Sequence, residues 1–94
     1  MTKRDKEKYL KYLGDAIRYY RIERGMTQEE LAVEAGYVDG ANPSATISKI
    51  ESGKIDLTFT KLEDISAALN MSLITIVHIA ERYYLLGGVR NEES

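Results

Sequence analysis

Residues 27–53 read TQEELAVEAGYVDGANPSATISKIESG, and their punctuation decides the fold. Thr27 followed three residues later by Glu30 is a capping box, in which hydroxyl and carboxylate satisfy two orphan N–H groups at a helix start. Leu31, Ala32 and Ala35 give that helix an inner face, and Gly36 ends it as the left-handed residue past the last turn. A stretch rich in turn formers, 37–41, comes next. Asn42 is placed to cap the next helix, Pro43 suits its first position, and residues 44–51 carry it to a stop at Gly53. Two short helices joined through a glycine turn make a helix-turn-helix unit, and the small Ala32 lets them cross closely.

Toward the N-terminus, Leu10, Leu13, Ile17 and Tyr20 recur at spacings of three and four, which predicts an amphipathic helix over 3–24, stopped by Gly25. Tyr9, Tyr12 and Tyr19 form a second stripe, suited to the last helix or to a partner surface. Toward the C-terminus, Thr58 caps a fourth helix through Leu69, with Phe59, Leu62, Ile65 and Leu69 inward. Ser72 caps a fifth over 73–86, stopped by Gly87 and Gly88. The expected organisation is one domain over 1–88 and a flexible tail at 89–94, too short for a self-cleaving or ligand-sensing module.

Composition narrows the function. The 94 residues include 44% hydrophobic and 30% charged side chains, a balance that argues against disorder. Zero Cys and one His exclude thiolate chemistry and a histidine metal cluster, so neither catalysis nor a cofactor is implied. No apolar run approaches a membrane span, and MTKRDKEK is not a secretory signal, so a cytoplasmic protein without a membrane partner is expected. The net charge of −2 hides a polarity. Residues 1–24 hold eight basic and four acidic residues, a net of +4, whereas 25–94 hold five and eleven, a net of −6. A basic N-terminal face can meet phosphate while the acidic part faces away.

The runs LGDAIRYYRIERGMTQEELAVEAG, ATISKIESGK and FTKLEDISAALNMS together resemble the Cro/C1-type, lambda-repressor-like helix-turn-helix family over about residues 13–76. The resemblance implies an all-α, compact five-helix DNA-binding domain, here with an extended first helix, that docks as a homodimer on a pseudo-palindromic operator. This chain departs from the pattern in four ways. The turn after Gly36 is roughly five residues longer than the tight form. Leu57 stands where the family usually has Pro, Val33 replaces a polar residue, and the first helix starts early.

The third helix, at about 100° per residue, turns Ile47 and Ile50 to the core and Ala45, Ser48, Lys49 and Ser52 outward, with Ser44 at the edge. The family resemblance places this face in the major groove. There Lys49 can donate to guanine, Ser44, Ser48 and Ser52 can donate or accept, and Ala45 can touch a thymine methyl. Thr27 and Gln28, opening the second helix, and Lys54, just after the third, are the expected phosphate contacts. Arg21 and Glu51 match a family ion pair that joins the first helix to the third. The fifth helix carries more apolar surface than a monomer needs, so Ile74, His78, Ile79, Arg82, Leu85 and Leu86 are the expected dimer interface. The implied function is a transcriptional regulator acting on double-stranded DNA, most often a repressor. The competing classes are an antitoxin, which binds both DNA and a toxin protein, and a restriction–modification controller protein.

Overall fold

The computed structural model describes residues 2–37, 40 and 42–87. Within them are five helices: α1 (Lys3–Glu23), α2 (Gln28–Glu34), α3 (Ser44–Glu51), α4 (Phe59–Ala68) and α5 (Leu73–Leu86). Side-chain hydroxyls start four of them. Thr2, Thr27, Thr58 and Ser72 accept from the backbone N–H of Asp5, Glu30, Lys61 and Ile74 respectively. Each such bond satisfies a donor with no intrahelical partner and contributes about 1 kcal/mol.

The cap of α3 differs from the sequence expectation. Pro43 has helical dihedrals yet occupies the cap position, where it has no side-chain oxygen to offer. The Asn42 carboxamide accepts from the Ser44 hydroxyl at 2.8 Å instead of from a backbone N–H. The turn after α2 obeys its expected chemistry, with Gly36 at φ +88° and the Tyr37 N–H donating to Ala32 O at 2.8 Å. Tyr37 opens the 37–41 stretch of turn formers. It is half-buried against the core, and its hydroxyl donates to Lys61 O at 3.4 Å. Residues 38, 39 and 41 of that turn, and the tail at 89–94, lie outside the described residues.

One core serves all five helices: Leu13, Ala16 and Ile17 from α1, Leu31 and Ala32 from α2, Ile47 and Ile50 from α3, Leu62 and Ile65 from α4, Ile76 and Ala80 from α5. The α1 helix lies along α5, and α4 turns into α5 at 106°. The tyrosine stripe of α1 is divided. Tyr9 and Tyr12 pack on Tyr84 of α5, with ring centroids 5.6 and 6.4 Å apart, while Tyr19 stays exposed beside Tyr20. Phe59, expected inward, is 69% exposed, because it opens α4 one turn beyond the core that Leu62 and Ile65 enter. No single described helix is long and apolar enough to cross a membrane.

The seating of α3 depends on two glycines. Gly14, in the middle of α1, faces the last carbonyls of α3, and a Cβ there would stand 2.5 Å from Glu51 O. Gly53 returns the approach, since a Cβ on it would stand 2.7 Å from Lys11 Cα. The two backbones meet without intervening side chains, which sets the position of α3 against α1.

Candidate nucleic-acid interface

Ile47, Ile50 and Glu51 hold α3 by its inner side. Ser48, Lys49 and Ser52 are exposed on the other side, and Ser44, Ala45 and Thr46 are half-buried at the start. These side chains do not have equal freedom. The Ser44 hydroxyl is engaged by Asn42, and the Ser52 hydroxyl donates to Lys49 O at 3.2 Å. Both keep only acceptor capacity. Ser48 and Lys49 have no side-chain partner among the described residues.

The C-terminal end of α3 is held by a network centred on Glu51, which is 4% exposed. Arg21 donates to it twice, Nε to Oε2 at 2.6 Å and Nη2 to Oε1 at 3.1 Å. The third guanidinium donor closes on Met26 O at 2.8 Å, which fixes the α1–α2 turn to the same group. Gln28 Nε2 adds a bond to Glu51 Oε1 at 3.1 Å. A carboxylate this buried needs such a set of partners, because desolvating it alone costs several kcal/mol, of the order of 3–5 when one partner of a buried pair is removed. The bidentate fork also fixes orientation, as a lysine could not.

The opening of α2 is partly committed. Thr27 N–H donates to Glu30 Oε1 at 2.8 Å, and Glu30 N–H to Thr27 Oγ1 at 3.0 Å. The N–H and the hydroxyl oxygen of Thr27 therefore both serve the capping box. The half-buried Gln28 is the residue of the opening that faces α3. Lys54 is exposed just past α3, its N–H bonded to Lys49 O at 2.9 Å. Beyond it Lys6 pairs with Asp56 at 2.7 Å, and that bond holds the Asp56 carboxyl below the usual carboxylate range.

The sequence reading missed a groove on the α1 side of α3. Lys11, Asp15 and Arg18 line it opposite Gln28, Ser48 and Ser52. Its signal was present as the spacing of those α1 residues at four and three, which places them on one helix edge.

The surface expected to pair two chains is uneven. Ile74 and Leu85 are each 74% exposed and Leu86 is 52% exposed, with His78 and Arg82 near them on the same helix. Ile79 departs from the expectation of a fully presented residue. It packs against the core, one turn before Tyr83, which packs there too.

Fold and site together define a helix-turn-helix domain: a short capped helix, a glycine turn, and a second helix clamped at one end and bare on its outer face. The chain belongs to the Cro/C1-type helix-turn-helix family, matching the helix-turn-helix family model over residues 17–76. It is on that ground a sequence-specific DNA-binding regulator. No curated protein matches the chain closely enough to add to this.

Proposed function

We propose that the protein binds a pseudo-palindromic operator as a homodimer, lays α3 in the major groove, and represses by occupying the promoter. The observation that carries this reading is the contrast within α3. Its inner side and C-terminal end are fixed by Ile47, Ile50 and the Arg21–Gln28–Glu51 network, while Ser48 and Lys49 face outward unengaged. Lys49 reads guanine, Ser48 contributes an adaptable hydroxyl, and Ala45 meets a thymine methyl. Ser44 and Ser52 take part as acceptors. Gln28 and Lys54 contact phosphate, and the Thr27 cap holds the start of α2 in place for Gln28.

One recognition helix reads too few base pairs to select one site in a genome, so two copies are needed. Ile74, Leu85 and Leu86 supply the apolar surface, with His78 and Arg82 at its polar edge and Ile79 contributing only its exposed side. A two-fold axis through this face uses the same patch on both chains. The test begins with selection of binding sites from random DNA. On the selected site, Lys49→Ala costs about 1–3 kcal/mol and relaxes specificity at one position. Lys54→Ala weakens all sequences alike and lowers the salt slope by about one. The reading fails if no inverted repeat is enriched, or if Lys49→Ala weakens selected and random DNA equally.

A further inference from the structure

Three cations on α1 stand seven residues apart, at Arg4, Lys11 and Arg18. Seven residues are nearly two helical turns, so all three fall on one edge of the helix, along a line of about 21 Å. All three are exposed, and Arg4 and Arg18 have no acidic partner among the described residues. Lys8, also exposed, stands one turn from Arg4 on the same side. The line does not end in open solvent. Lys11 and Arg18 form one wall of the groove whose other wall is Gln28, Ser48 and Ser52. The contacts at Gly14 and Gly53 seat this part of α1 directly on the end of α3. The family match begins at residue 17, so Arg4, Lys8 and Lys11 precede it.

We propose that the Arg4–Lys11–Arg18 edge of α1 is a second DNA contact surface, which grips duplex phosphates outside the base pairs read by α3. This rests on the DNA-binding reading above. Each strand of duplex offers a phosphate roughly every 3.4 Å along the axis, so a line of about 21 Å can span several of them. The contact is independent of sequence and adds to affinity through counterion release. Asp15 opposes it. Its carboxylate, only 19% exposed, holds Lys11 Nζ at 2.7 Å and neutralises the middle of the line in the free protein. The acid thus sets a ceiling on non-specific binding.

The test measures binding to a labelled random-sequence duplex of about three helical turns, across roughly 50–200 mM KCl. Arg4→Gln and Arg18→Gln each lower the salt slope by about 0.9, so each variant loses about 3.5-fold less affinity than wild type over that range. Asp15→Asn tightens binding several-fold. Lys6→Gln, which removes a cation from the opposite side of α1 where it pairs with Asp56, leaves the slope unchanged. Far-UV circular dichroism checks that the exposed substitutions keep the fold. The proposal is overturned if Arg4→Gln and Arg18→Gln keep the wild-type slope, if Lys6→Gln lowers it as much as they do, or if Asp15→Asn binds no better. If wild type binds no duplex at all, the DNA-binding reading itself has failed.

Discussion

Gly14→Ala is the substitution whose outcome depends most directly on how α3 is seated. In an ordinary exposed helix interior, replacing Gly by Ala gains about 1 kcal/mol. Here the new Cβ would stand 2.5 Å from Glu51 O, where ordinary contact begins at 3.4 Å. The neighbour is backbone and cannot rotate away, so α1 and α3 must separate by about 0.9 Å. Overpacking of this kind costs about 1–3 kcal/mol. The same separation stretches the Arg21–Glu51 bonds from 2.6 and 3.1 Å toward or past hydrogen-bonding range, and bonds to charged groups contribute about 1.5–3 kcal/mol each. With one of the two bonds lost, and set against the propensity gain, the net loss is about 1.5–5 kcal/mol. For a domain of this size each kcal/mol moves Tm by about 4–8 °C, so a thermal melt falls by at least about 6 °C. Operator affinity falls with it, because α3 is displaced. A Gly14→Ala protein melting at or above the wild-type temperature would refute the close approach.

The same geometry sets further outcomes. In a double-mutant cycle, Arg21→Ala and Glu51→Ala each destabilise by about 3–5 kcal/mol, and the double variant by much less than their sum; coupling within error of zero would break the pair apart. Ile74→Glu with Leu85→Glu leaves the fold intact, since both side chains are 74% exposed, and should convert the proposed dimer to monomer by sedimentation with a sharp loss of operator affinity. A wild-type protein that is already monomeric at operator-saturating concentration would remove this interface. Burial raises the phenols of Tyr9 and Tyr37, with Glu81 and Asp64 adding to the rise. A folded pKa above the unfolded value means this contribution is complete below the usual 10.0 and is lost as pH climbs through the raised values. The denaturant midpoint should therefore decline above that pH, and Tyr37→Phe should reduce the decline.

Helix starts and stops were legible because they are local. Thr27, Thr58 and Ser72 cap α2, α4 and α5, while Gly25 and Gly36 take the left-handed backbone that closes α1 and α2. Asn70, also left-handed at φ 56°, ends α4 the same way without glycine and went unread. The Arg21–Glu51 contact was accessible through the family pattern, but its third and fourth anchors, Met26 O and Gln28, depend on how a turn and a helix start come together in space. Phe59 was misread because periodicity assigns a side of a helix, not how far along its axis the core extends. Gly14 carried a signal, a glycine inside a strongly helical stretch, but only the crossing of α1 with α3 shows which atoms require it. The groove at Lys11 and Arg18 was hidden for a similar reason, as its other wall belongs to the start of α2 and the end of α3.

The asymmetric anchoring of α3 bears on the thermodynamics of recognition. Its last turn is tied down by Arg21, Gln28 and the two glycine contacts, whereas its first turn starts at Pro43, with no side-chain cap bond. Local opening takes the least free energy where a helix end has the fewest restraints, and by that rule the first turn is where α3 would open first. Under the proposed docking, Ser44 and Ala45 are the residues that enter the groove first. If they do, each correct base contact there would also supply the ordering free energy of that turn, about 1–2 kcal/mol per residue at most, while on a wrong sequence the turn would stay loose and the complex would dissociate sooner. A helix rigid throughout would bind both kinds of DNA more tightly and distinguish them less well.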